Sequence, residues 1–140
     1  MTRSEVEAFL ARHKKSFESR SAATLAADHT ELGTMRTQAE GTVSGRAEIQ
    51  KVYEYWLTSF PDMDFDWDAP IIEGDRVAFL WHFGGTVSGQ FFGEVKPGTR
   101  VRFDGAAQYT LSPEGIVSAR HVYDFTGALV TAGALRVKPT

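Results

Sequence analysis

At Pro61 the spacing of apolar residues changes, and that change limits what the chain can fold into. Upstream, Ile49, Val52, Tyr53, Trp56, Leu57 and Phe60 follow the i, i+3, i+4, i+7 rule of a helix with one buried face. Downstream, Met63, Phe65, Trp67 and Ala69 alternate with Asp62, Asp64, Asp66 and Asp68, the period-two pattern of a strand with one wet face. The upstream pattern predicts a helix over about 45–59. Ser44 is its expected cap, and Pro61, which cannot continue the backbone ladder, is its stop.

The segments before Ser44 extend the helical half. Ser4 and Glu7 form a capping-box pattern ahead of Val6, Phe9, Leu10 and Phe17, which predicts a first helix over about 4–18. Ala22 to Ala27 is alanine-rich and orders cheaply as a short helix. Residues 29–38 alternate loosely, as an edge strand would.

The segments after Pro61 extend the strand half. RVAFLWHFGGTV is apolar at both parities, the pattern of a central strand buried on two faces. Residues Gly84 to Gly98 are glycine-rich and end in the Pro97-Gly98 turn. Two more strands follow, over about 100–111 and 115–125, joined at Ser112-Pro113-Glu114-Gly115. Helices first and hairpin-linked strands afterwards make an α+β layout, with the helices on one face of an antiparallel sheet. No linker or repeat divides the 140 residues, so a single domain over 1–140 is expected.

Composition excludes several classes of function. With no cysteine there is no disulfide, thiolate nucleophile or cysteine-based metal site, which suits a reducing cytoplasm. No His-x-His or H-E-x-x-H spacing suggests zinc, so no metal is expected. A net charge of −3 argues against nucleic acid, whose binders gain most of their affinity by neutralising phosphates. Arg12, Lys14 and Lys15 read as the solvated face of the first helix. No signal-peptide core or membrane-length apolar run is visible. Aromatic residues, 10 Phe, 4 Tyr and 3 Trp, are enough to fill a core and still line a cavity or a subunit contact. Strands apolar on both faces, with one helical layer to cover them, predict a homodimer.

Several side chains are candidates for chemistry. Asp124 lies in HVYDFTGAL among Val122, Tyr123 and Phe125, where desolvation would raise a carboxyl pKa toward values useful in proton transfer. It equally suits the cap of a turn or helix at Thr126-Gly127-Ala128. His82 and His121 can exchange protons near neutrality or serve as hydrogen-bonded core residues. Strand parity separates His121 from Asp124, which leaves His82 as the expected cavity histidine. Gln108 can donate to a developing enolate oxygen or face outward. Arg120 shares the parity of Asp124 and can pair with it or bind an anionic group. Trp56, Trp81, Phe92 and Tyr123 are the expected aromatic wall, with Phe91 and Phe92 at a lid or a subunit contact.

Three segments together carry a resemblance: GRAEIQKVYEYWLTSFPDMDFDW, WHFGGTVSGQFFGEVKPGTRVRFDGAAQYTL and EGIVSARHVYDFTGALVTAGAL. In their order they resemble SnoaL-like polyketide cyclases of the NTF2-like superfamily, over roughly residues 41–135. The resemblance implies a cone of helices on a strongly curved sheet, a cavity between them, dimers across the outer sheet face, and metal-free, cofactor-free aldol chemistry. It implies a general base at Asp124; beside it, His82 or Gln108 is expected to stabilise an enolate formed from an apolar, carbonyl-bearing molecule such as a polyketide. An isomerase, an epoxide hydrolase using Asp124 and Arg120, or a non-catalytic binder of the same fold are the alternatives. Val87 and Thr110 stand where relatives carry histidine, and GALVTAGAL replaces the usual leucine-glutamine-leucine-glycine ending.

Overall fold

The computed structural model describes residues 1–139. Helix α1 (Arg3–Ser19) and helix α2 (Ala22–Ala27) lead into strands β1 (His29–Thr37) and β2 (Gly41–Ser44). Helix α3 (Arg46–Ser59) follows, then strands β3 (Asp64–Trp67), β4 (Ile71–Glu73), β5 (Arg76–Thr86), β6 (Arg100–Ser112) and β7 (Gly115–Tyr123), and a closing helix α4 (Phe125–Ala132). The strands form one curved, unclosed sheet in the order β2-β1-β7-β6-β5-β3, with β4 also on β5.

The capping box of α1 lies two residues earlier than expected. Two such patterns overlap here, and the structure uses Thr2 with Glu5: the Glu5 N–H donates to Thr2 Oγ1 at 3.2 Å and the Thr2 N–H to Glu5 Oε2 at 2.8 Å. This places Met1 and Val6 at the two positions whose apolar contact staples a helix start, and both lie against the core. Glu7 is left to pair with Arg3 at 3.0 Å. Helix α3 is capped by Gly45, at φ 91°, and not by Ser44, which ends β2.

Three features of the sheet depart from the sequence expectation. It is mixed, because β1 pairs in parallel with β7. A parallel partner some eighty residues away leaves no turn signal between the two strands, so local patterns cannot reveal it. Strand β1 is interior, with short β2 as the edge beyond it. Strand β5 is central but buried on one face only: Val77, Phe79, Trp81 and Phe83 point inward, whereas Leu80 is 60% exposed.

The core lies between the inner sheet face and the helices. Val6, Phe9, Leu10 and Phe17 of α1 and Ile49, Val52 and Tyr53 of α3 meet inward side chains of β3, β5, β6 and β7. Among the described residues no helix is long and apolar enough to cross a membrane.

Candidate functional site

The helices and the concave sheet do not fill the space between them. A cavity of about 80 Å³ remains, several times what one water molecule needs. Helix α1 contributes Phe17, and α3 contributes Val52, Tyr53 and Trp56 from one helical face. Strand alternation supplies Met35 and Thr37 of β1, Phe65 of β3, Trp81 and Phe83 of β5, Phe103 of β6, and His121 and Tyr123 of β7. Met63 and Glu40 complete the wall. The rings interlock: Phe83 stacks on Phe103 at 4.7 Å and Phe103 on Tyr123 at 5.5 Å between centroids.

Glu40, in the turn between β1 and β2, brings a carboxylate into this apolar wall. Its Oε1 accepts from the Trp56 indole N–H at 2.8 Å, and its Oε2 accepts from the Thr37 hydroxyl. Thr37 Oγ1 in turn accepts from the backbone N–H groups of Ala39 and Glu40, so the turn and the carboxylate fix each other. The carboxylate is therefore aimed, not merely present.

A second polar layer underlies the aromatic wall. Asp28 Oδ2 lies 2.7 Å from His13 Nδ1, and His13 Nε2 lies 3.3 Å from the Tyr109 hydroxyl. Burial pushes the Asp28 carboxyl up, but hydrogen bonds from His13 and Ser16 and the nearby imidazoles outweigh it, and the net displacement is downward. His29 Nε2 lies 2.7 Å from the hydroxyl of the cavity residue Tyr53, and both side chains are buried. Burial, reinforced by His13 and His121, lowers the His29 pKa to about 3. Burial likewise lowers His121 to about 4, with His13 adding to the effect, so both imidazoles are neutral near pH 7. The phenols of Tyr53, Tyr109 and Tyr123 are all pushed upward, chiefly by burial, and remain protonated donors.

The residues expected from sequence divide into two groups. Trp56, Trp81 and Tyr123 line the cavity, and so does His121. The others lie elsewhere. His82 projects from the outer face of β5, half exposed, with its ring nitrogens 2.8 Å from Asp104 and 2.9 Å from Asp68. Those two carboxylates raise its pKa. Gln108 and Arg120 are exposed register neighbours on the same outer face. Asp124 is exposed and caps α4, with Oδ1 accepting from the Gly127 N–H at 2.9 Å. Phe92 sits outside the lining at φ 53°, packed on Tyr55, Phe91 and Phe125, and its N–H donates to the Tyr55 hydroxyl at 2.6 Å.

Parity explains the exchange of histidines. Trp81 and His121 face inward, so His82 and Val122, one residue along each strand, must face outward. Glu40, His13 and His29 escape a reading of the sequence for different reasons. Glu40 lies in a polar turn, where a carboxylate is unremarked, and His13 lies among the charges of α1. His29 opens a strand whose partner is invisible locally. Among the described residues no group of three His, Asp or Glu side chains is placed to hold a metal ion.

A family model for SnoaL-like polyketide cyclases matches residues 8–130. The chain belongs to that family. No curated protein matches this SnoaL-like chain. Among solved structures it is similar to AclR of Streptomyces galilaeus, a candidate hydroxylase, at 23% identity and TM-score 0.82, over 99% of this chain and 87% of that one. It is also similar to IdmH of Streptomyces antibioticus, a candidate polyketide cyclase, at 20% identity and TM-score 0.76, over 91% and 97% of the two chains. A Catenulispora acidiphila protein with a ketosteroid isomerase-like fold, solved with trimethylamine, matches at 18% identity and TM-score 0.75, over 89% and 92%. At these identities the likeness is one of fold, and it agrees with helices laid on a curved, open sheet.

Proposed function

We propose that this SnoaL-like chain is a cofactor-independent acid/base enzyme, a cyclase or isomerase, that removes a proton from carbon beside a carbonyl in a small apolar molecule such as a polyketide. The observation that carries this reading is the Glu40 carboxylate, fixed by Trp56 and Thr37 within an aromatic cavity. Glu40 takes the proton, the C–H electron pair becomes the enolate double bond, and the carbonyl pair moves to oxygen. Neutral N–H and O–H donors of the wall stabilise that oxygen, as preorganised dipoles do in a dry site. For a cyclase, the enolate carbon then attacks a second carbonyl of the folded chain, and the proton returns to the new alkoxide. The wall holds the chain bent and makes closure an intramolecular step.

The family resemblance would give the base to Asp124. From its exposed place at the head of α4, that carboxylate would have to leave Gly127 and turn inward; Glu40 needs no rearrangement. The test is exchange of α-protons of a small ketone with deuterated water. Wild-type protein should catalyse it, Glu40→Gln should lose about 10²–10⁴-fold, and Asp124→Asn should keep it. Exchange that survives Glu40→Gln but not Asp124→Asn returns the role to Asp124. No exchange above buffer contradicts the enzyme.

A second reading is a non-catalytic binding domain, which the capping role of Asp124 and the small cavity favour. In either reading we infer a homodimer. Leu80, Ala106 and Val122 are in register across β5, β6 and β7 on the outer face, with Leu80 and Val122 exposed.

A further inference from the structure

Two hydrogen-bonding atoms in the cavity wall have no partner. Trp81 Nε1 and Tyr123 Oη are both buried, and neither makes a hydrogen bond. Tyr123 Oη lies near Thr37 and the Ala39 N–H without bonding geometry to either. The indole N–H can only donate, so only an acceptor satisfies it. A buried donor without a partner is costly and rare, and where one persists an ordered water or a ligand commonly satisfies it.

The backbone is built to seat this indole. Trp81 is in register with Gly105, and Gly105 with Tyr123, so the three lie in one row across β5, β6 and β7. A Cβ on Gly105 would come within 2.3 Å of Trp81 Cζ2. Only glycine lets the indole lie across β6 toward Tyr123, and the two rings stand 5.6 Å apart. The surrounding rings close on one another, and the cavity is small.

The geometry points to Trp81 and Tyr123 as a two-donor subsite for an acceptor oxygen of the ligand, a ketone or similarly neutral carbonyl, with Gly105 as the residue that seats the indole. The inference rests on the proposed ligand class but not on the proton transfer. A carbonyl oxygen carries two lone pairs and can accept from both donors at once. A cation would be repelled by two donor hydrogens, and a hydrocarbon would leave both unpaired.

Acetophenone and α-methylstyrene differ only in oxygen against CH₂, which makes them the probe pair. Wild-type protein should bind the ketone more tightly by about three- to tenfold for each of the two donors it satisfies, the worth of a hydrogen bond gained in a buried site. The chain has 3 Trp, and loss of one indole N–H resonance in Trp81→Phe assigns that of Trp81. This resonance should move downfield with acetophenone and not with α-methylstyrene. Trp81→Phe and Gly105→Ala should each reduce the preference, and Trp81→Phe with Tyr123→Phe should abolish it, with folding checked by circular dichroism. If Trp81→Phe does not fold, Gly105→Ala and the wild-type resonance that responds to ketone alone decide. Equal binding of the two probes, no ketone binding at millimolar concentration, an unresponsive resonance, or a preference undiminished in both single variants overturns the subsite. Ketone preference without α-proton exchange would instead defeat the acid/base reading and leave the subsite standing.

Discussion

Acidification should weaken this fold well before its carboxylates titrate, because two imidazoles are held neutral inside it. His29 and His121 have pKa values lowered to about 3 and about 4 from an ordinary 6.5. In the unfolded chain both take up protons as pH falls through 6.5, while the native state refuses them. The stability they contribute is therefore complete above that pH and is lost as pH falls toward the native values. Each histidine contributes a slope of about 1.4 kcal/mol per pH unit. Over two units, from pH 6.5 to about 4.5, the pair costs about 5 kcal/mol, or about 3 if water in the cavity softens the share of His121. That approaches the whole stability of many domains. Asp28 does not offset it, since a carboxyl lowered from 3.8 loses its contribution only below this window. His82, raised and exposed, acts in the opposite sense, with its contribution present at low pH and lost as pH rises through its native value. Urea unfolding at pH 7, 6 and 5 measures the slope, and His121→Phe should remove roughly its share. An unchanged urea midpoint between pH 7 and 5 would refute the argument.

Two further outcomes follow from the placement of surface groups. Asp124→Ala should cost about 1 kcal/mol by uncapping α4, whereas Asp124→Asn, itself a good cap, should leave the thermal midpoint nearly unchanged. If the proposed homodimer forms across the outer face, Leu80→Asp with Val122→Asp should convert it to the 15.5 kDa monomer in light scattering, and wild-type protein that already gives the monomer mass at every concentration would reject the dimer.

The elements bounded by strong local signals were legible in the sequence. The stripe from Ile49 to Phe60 gave α3 almost residue for residue, and the alternation from Met63 to Ala69 located β3 while overrunning its end at Trp67, because burial of one face enforces period and composition together. The hairpin at Ser112 to Gly115 was equally plain. What could not be read was any partnership between distant segments. The parallel β1–β7 pair, the contact of His13 with Tyr109 and that of His29 with Tyr53 depend on closure of the whole fold. The site was half legible for the same reason. Trp56 follows from the helical stripe, and Trp81 and Tyr123 were expected in the wall as aromatics without a face assigned by period, but Glu40 becomes a cavity group only because the β1–β2 turn folds against α3.

The most direct test of the central claim, that proton transfer occurs in the aromatic cavity at Glu40, is a crystal structure of the protein with acetophenone bound. The account predicts the ketone inside the cavity, its methyl carbon about 3–3.5 Å from a Glu40 carboxylate oxygen, as a near-attack geometry requires. A ketone bound with Glu40 out of reach, or with its methyl carbon against Asp124 instead, would contradict it.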